Sequence, residues 1–153
     1  MEYKVAILLG SESDRKYVEK SLDYYKHFNI NVEVHILSAH RNPEDVGRFA
    51  SLARENGYSV LVCGAGMAAH LAGAVKANST LPVIGVPMPG GLSDGLDAML
   101  STVQMPKGVP VATMSMGNSG SINAAILSAE ILSLNDSNLV DKLCAFKAAG
   151  CKI

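Results

Sequence analysis

The side chains best suited to chemistry in this sequence stand together at Ser38-Ala39-His40-Arg41, directly ahead of Asn42-Pro43. A histidine has a reference pKa of about 6.5, so His40 can give or take a proton near neutrality. The planar guanidinium of Arg41 can grip phosphate oxygens at two points. Side by side, the two suit proton transfer on an anchored anion. A solvated loop in which Arg41 pairs with Glu44 or Asp45 accounts for the same residues about equally well.

Three other stretches carry candidate groups. In Gly10-Ser11-Glu12-Ser13-Asp14, small residues at a helix start leave room for a phosphate. The carboxylate of Asp14 can accept two hydroxyls. A plain cap by Ser13 or Asp14 is the commoner use of such residues. In Gly64-Ala65-Gly66-Met67-Ala68-Ala69-His70, the glycines Gly64 and Gly66 permit close backbone approach to a ligand. His70 either lines that site or caps and fills an interface. Residues 87–100 form a Pro/Gly-rich loop of a length that is usually functional or mobile; Asp94 and Asp97 within it read as capping groups. His27 and His35 read as structural.

Several chemistries lack their residues. No His/Cys/Asp cluster has metal-ligand spacing, no G-x-S-x-G elbow is present, and no lysine lies in an apolar pocket. Neither GxGxxG nor GxxxxGK[ST] occurs, so no dinucleotide or ATP site is signalled. What survives is proton transfer by a histidine on a phosphorylated ribosyl-type ligand.

These segments must be positioned by a scaffold. The 153 residues are 48% hydrophobic and 18% charged, enough for a packed core in one domain, 1–153. The net charge of -1 and the absence of a basic stripe argue against nucleic acid as a partner. Three cysteines without a CxxC fit a reducing compartment. With no signal peptide or membrane-length apolar run, a cytoplasmic protein is expected.

Short apolar runs at 4–9, 32–36, 59–63, 82–86 and 109–114 read as buried strands. Helical patterns separate them, at about 15–28, from the Asn42-Pro43 cap to Gly57, at 67–78 and at 96–103. Two more follow, opening near Gly117 and running over about 138–149. Five strands alternating with helices predict an α/β fold with a parallel sheet covered on both faces. Ligands in such folds bind beyond the strand carboxyl ends. The five segments after the strands are rich in Gly, Ser and His or Asp, which predicts one site built from several of these loops.

Taken together, GSESD, SAHRNPE, GAGMAAHLAG, PVIGVP, LDAMLSTVQMPKGVPVAT and NAAILSAEIL, in that order over about residues 8–132, resemble the PurE family of purine biosynthesis. The resemblance implies a flavodoxin-like three-layer sandwich, assembled as a homo-oligomer, usually an octamer with sites at subunit junctions. It implies interconversion of carboxylated aminoimidazole ribonucleotides without metal, biotin, ATP or other cofactor. By the same resemblance Ser11 and Arg41 bind the 5′-phosphate, Asp14 holds the ribose, and Ser38, Gly64 and Gly66 shape the base and carboxylate pocket. His40 is the general acid–base residue. Ser13, Ala39, Met67 and His70 complete the substrate set.

The family divides into a mutase class and a class that uses carbon dioxide directly. The mutase pattern resembles GAG-G-AAHL-P with a Ser-Ala-Ala stretch after the fourth strand. Here Met67 replaces Gly, Ala72 replaces Pro, and PMPGGLSDGLD replaces the Ser-Ala-Ala stretch. Those departures look more like the carboxylase class. The expected reaction is therefore carboxylation of 5-aminoimidazole ribonucleotide by carbon dioxide to the 4-carboxy product. The alternative is conversion of the N-carboxy isomer to the same product. The rival outside enzymology is a flavodoxin-like binding or signalling module.

Overall fold

The computed structural model describes residues 3–153. Its elements follow in the order β1 (Tyr3–Leu9), a 3₁₀ helix (Glu12–Tyr17), α1 (Glu19–His27), β2 (Ile30–Ile36), α2 (Pro43–Leu52), β3 (Val60–Ala65) and α3 (Leu71–Asn78). Then come β4 (Val83–Pro87), a 3₁₀ turn (Leu92–Asp94), α4 (Leu96–Val103), β5 (Ala112–Thr113), α5 (Gly117–Ser133) and α6 (Ser137–Ala148). The five strands form one sheet in the order β2-β1-β3-β4-β5. Every pairing is parallel. This is the flavodoxin-like order, with the switch point between β1 and β3.

Alternation along the central strands sorts the core into two layers. Val5, Ile7 and Leu9 of β1, with Val60 and Val62 of β3, point to a layer filled by Tyr25, Phe28, Ala125 and Phe146 from α1, α5 and α6. Ala6, Leu8, Leu61 and Cys63 point the other way, onto Val46 and Ala50 of α2 and Leu71 and Val75 of α3. Both faces of the sheet are covered, which is why these strands read as unbroken apolar runs. Burial pushes the Cys63 thiol well above its ordinary pKa, so Cys63 serves as core.

Three elements differ from the sequence expectation. The single helix expected over 15–28 is divided at buried Val18, whose N–H bonds to Arg15 O at 3.0 Å in 3₁₀ fashion before α1 begins. The fifth strand shrinks from 109–114 to Ala112–Thr113, because Pro110 has no N–H to give the ladder. The third helix begins at Leu71 rather than Met67: Met67 takes a left-handed φ of 55°, and the tight His70 N–H to Ala68 O bond (2.9 Å) closes a turn instead of a helical coil.

Candidate active site

The strand carboxyl ends enclose a cleft of about 520 Å³. Its His40 side is built by the chain leaving β2. Asn42 occupies the N-cap position of α2, and Pro43 supplies the fixed φ of the first turn. The Asn42 side chain does not cap the helix. It turns back, Oδ1 accepting from Ser38 N–H at 3.4 Å, while Asn42 N–H donates to Ser38 O at 2.8 Å. Ser38 Oγ accepts the Arg41 N–H at 3.3 Å. Ser38 and Asn42 thus close a ring that presents Ala39, His40 and Arg41 to the cleft.

The chain leaving β3 supplies the facing histidine. His40 Nε2 lies 2.7 Å from His70 Nδ1, with ring centroids 4.9 Å apart and planes at 84°. In an N···N bond one ring donates and the other accepts, so a proton on one nitrogen is shared with its partner. His70 sits at the N-cap position of α3, which aims it at the cleft; it does not cap the helix with its side chain.

The third wall follows β1. Ser11, Ser13 and Asp14 all face the cleft. The cap of the 3₁₀ helix is Ser11 itself, whose hydroxyl accepts from Ser13 N–H at 3.3 Å and lies 2.8 Å from Ser13 Oγ. Asp14 is half-buried, and its carboxylate makes no hydrogen bond to any described residue. Desolvation holds its pKa above the ordinary carboxylate value, with Lys16 pulling weakly the other way. A partly desolvated carboxylate without donors among the described residues is a ready acceptor for ligand hydroxyls. Arg41 is equally unengaged: it forms no ion pair among the described residues, and Asp45 pairs with Arg48 at 2.8 Å.

Gly66 and Met67 line the cleft, but Gly64 does not. Gly64 is buried in β3, where a Cβ would stand 2.3 Å from Met88 Cε and 2.9 Å from Leu9 Cδ2. It admits the core beneath the site rather than the ligand. Pro89, Gly90 and Gly91 of the loop after β4 complete the wall. The two acids of that loop brace it. Asp94 accepts from Gly90 N–H at 3.1 Å, and Asp97 accepts from Leu92 N–H at 3.2 Å and Ala98 N–H at 2.9 Å.

Four of the five loops line the cleft; the segment after β5 stands behind the wall, Gly117 packing on Pro89 and Met116 against Gly95. His27 packs edge-on against Phe28 and tilted against Phe146, and His35 lies tilted against Phe49, both away from the cleft. Among the described residues no group of three or more His, Cys, Asp or Glu is placed to hold a metal ion, and no helix is long and apolar enough to cross a membrane.

Fold and cleft together define a flavodoxin-like α/β protein with a bonded imidazole pair, a free guanidinium and a free carboxylate at the strand carboxyl ends. The chain belongs to the PurE family of purine-biosynthetic enzymes: the AIR carboxylase family model matches residues 4–151. It is 46% identical over 143 residues to the N5-carboxyaminoimidazole ribonucleotide mutase of Bacillus subtilis (strain 168), covering 94% of this chain and 88% of that protein. It is 42% identical over 140 residues to the protein of the same name from Escherichia coli (strain K12), covering 92% and 83%. Among solved structures it resembles Treponema denticola PurE, with a TM-score of 0.88 at 28% identity, covering 98% of this chain and 92% of that one.

Proposed function

We propose that the protein is a mutase that converts N5-carboxyaminoimidazole ribonucleotide to the 4-carboxy isomer, acting as a single domain over 1–153 in the cytoplasm. The sequence departures favoured direct carboxylation. The mutase name carried by relatives at 42–46% identity tips the balance to the isomer. The observation that carries the chemistry is the His40–His70 pair at 2.7 Å, in a cleft also lined by a guanidinium and a carboxylate that have no partner among the described residues.

The steps balance on these residues. The nitrogen–carboxyl bond of the substrate breaks, its electron pair returns to the exocyclic nitrogen, and that nitrogen takes a proton. Carbon dioxide is released within the cleft. The enamine carbon of the ring donates its electron pair to carbon dioxide, forming the carbon–carbon bond. The same ring carbon then loses its proton, restoring aromaticity. One proton is delivered and one removed, and nothing is oxidised or reduced. His40 carries both, with His70 as its hydrogen-bond partner; a positioned acid–base residue contributes about 10²–10⁴ in rate. Arg41 and Ser11, with Ser13, hold the phosphate, and Asp14 the ribose hydroxyls, so the ring is kept against His40. Ser38, Ala39 and Gly66 form the wall beside the base.

The carboxylase reading stays as the second, because Met67 and the Pro89–Gly90–Gly91 wall depart from the mutase pattern. A homo-oligomer is part of the proposal under either reading. Leu96, Leu100 and Val103 form an exposed apolar stripe along α4, continued by exposed Leu92 in the turn before it, and such a stripe suits an interface between chains.

Parallel turnover assays separate the readings, one with the N-carboxy isomer and one with aminoimidazole ribonucleotide plus carbon dioxide. Efficient use of the isomer is expected. Turnover from free carbon dioxide alone overturns the mutase in favour of the carboxylase, and turnover from neither overturns both.

A further inference from the structure

Under the proposed function, on which this inference rests, His40 carries its protons from an exposed turn. Packing does little to fix a ring so placed, so the turn itself must hold it 2.7 Å from His70. Three hydrogen bonds close that turn. Asn42 N–H donates to Ser38 O at 2.8 Å, and Arg41 N–H donates to Ser38 Oγ at 3.3 Å. Both of these leave the backbone and survive any side chain at residue 42. The third does not: Ser38 N–H donates to Asn42 Oδ1 at 3.4 Å.

That third bond is made in place of a commoner one. An asparagine at the N-cap position ordinarily accepts from the N–H groups of the first helical turn, which stabilises the helix start. α2 receives no side-chain cap. The backbone of Asn42 agrees: φ −131° with ψ 52° is not the extended conformation from which a cap residue reaches into its helix. Two independent features, the side-chain bond and the backbone, therefore turn Asn42 back toward Ser38. Local rules are broken in this way where a site has a competing use for the residue. Asn42 does not itself line the cleft, whereas Ser38, Ala39, His40 and Arg41 all do. Any use it has in the reaction passes through the turn.

We propose that Asn42 is a positioning residue for proton transfer: its side chain closes the Ser38–Asn42 turn and so holds the His40 ring on His70. Without it Ser38 N–H loses its acceptor, and His40 keeps its chemistry but spends less time where it can reach the reacting carbon. Proton transfer is sensitive to such small displacements. Arg41 stays tied to Ser38 Oγ by a bond that does not involve Asn42. The effect therefore falls on turnover rather than on the phosphate grip.

The test measures kcat and KM of the full chain on the substrate it uses, with melting temperature as the control for folding. Asn42→Ala is expected to lower kcat about 2- to 10-fold, the factor carried by one neutral hydrogen bond, and to change KM by less than about twofold. Asn42→Asp keeps an acceptor oxygen in the same place and is expected to recover kcat. Asn42→Gly supplies the reading if the alanine variant folds poorly, since glycine is well tolerated at helix starts. The decisive comparison is made in the His70→Leu background. There Asn42→Ala is expected to cost little more, because the contact it protects is already gone, whereas a merely structural role makes the two losses multiply. Folded Asn42→Ala and Asn42→Gly with the kcat of wild type overturn the proposal, as do an Asn42→Asp as slow as alanine and losses that multiply in the double variant. A wild type that turns over neither substrate, or a folded His40→Asn that keeps its turnover, overturns the proton-transfer reading itself.

Discussion

Asp14→Asn separates binding from stability with opposite signs. Asp14 is partly desolvated and accepts no hydrogen bond from the described residues, and its pKa lies above the ordinary 3.8. A carboxyl whose folded pKa is raised favours the folded state when protonated. Its charge costs stability as pH rises through the unfolded value, until the folded value has been passed. At neutral pH the wild type therefore bears a penalty that the amide removes. The group is more than a third exposed, so after solvent screening the gain is on the order of 0.5 kcal/mol. For a chain of this length that is a rise of about 1–2 °C in melting temperature. Below about pH 3.8 the two proteins should converge. Binding moves the other way. The carboxylate is assigned two ribose hydroxyls, and hydrogen bonds to a charged acceptor contribute about 1.5–3 kcal/mol. KM for ribonucleotide is thus expected to rise about 10–150-fold, with kcat changing far less. Thermal scans from pH 3.5 to 8 and steady-state kinetics read the two effects. A less stable Asp14→Asn at pH 7, or an unchanged KM, refutes the assignment.

Three further outcomes follow from particular contacts. Arg41→Ala should raise KM about 10–150-fold by loss of charge-assisted bonds to phosphate, while leaving the melting temperature unchanged because Arg41 has no ion pair among the described residues to lose; steady-state kinetics and a thermal scan check both. Gly64→Ala should cost about 1–3 kcal/mol, since the added Cβ meets Met88 and Leu9 in a filled core; chemical denaturation measures it. His70→Leu removes the partner of His40 and should lower kcat about 2- to 10-fold, as expected for a hydrogen bond worth about 0.5–1.5 kcal/mol, whereas His70→Asn, which can still bond Nε2, should recover part of it.

Much of the scaffold was legible because parallel strands covered on both faces are written as short apolar runs. The strands from β1 to β4, and the Asn42-Pro43 start of α2, stand where the pattern placed them to within a few residues. What could not be read depends on contacts far apart in sequence. His40 and His70 are thirty residues apart, and only the order β1 between β2 and β3 brings the two loops together. Asn42 has the residue type of a cap, but its side chain serves the turn before the helix, a choice made by the geometry of Ser38. The two glycines of Gly64-Ala65-Gly66 looked alike in sequence; Gly64 still lies within β3 and is buried in the core, whereas Gly66 lies just past the strand end, at the cleft. The left-handed Met67 carries no sequence signal at all, since methionine is not a residue that announces a positive φ. Proline spacing at 106 and 110 was the available warning that the fifth strand would be short.

The measurement that bears most directly on the central claim is turnover of the N-carboxy isomer by His40→Asn, beside wild type and with melting temperature as the control for folding. Asparagine keeps a polar group against His70 but cannot carry a proton. His40 is exposed at the cleft, so the variant should fold normally. A loss of about 10²–10⁴ in kcat is expected with KM little changed. A folded His40→Asn that keeps most of its turnover contradicts the assignment of both proton transfers to His40.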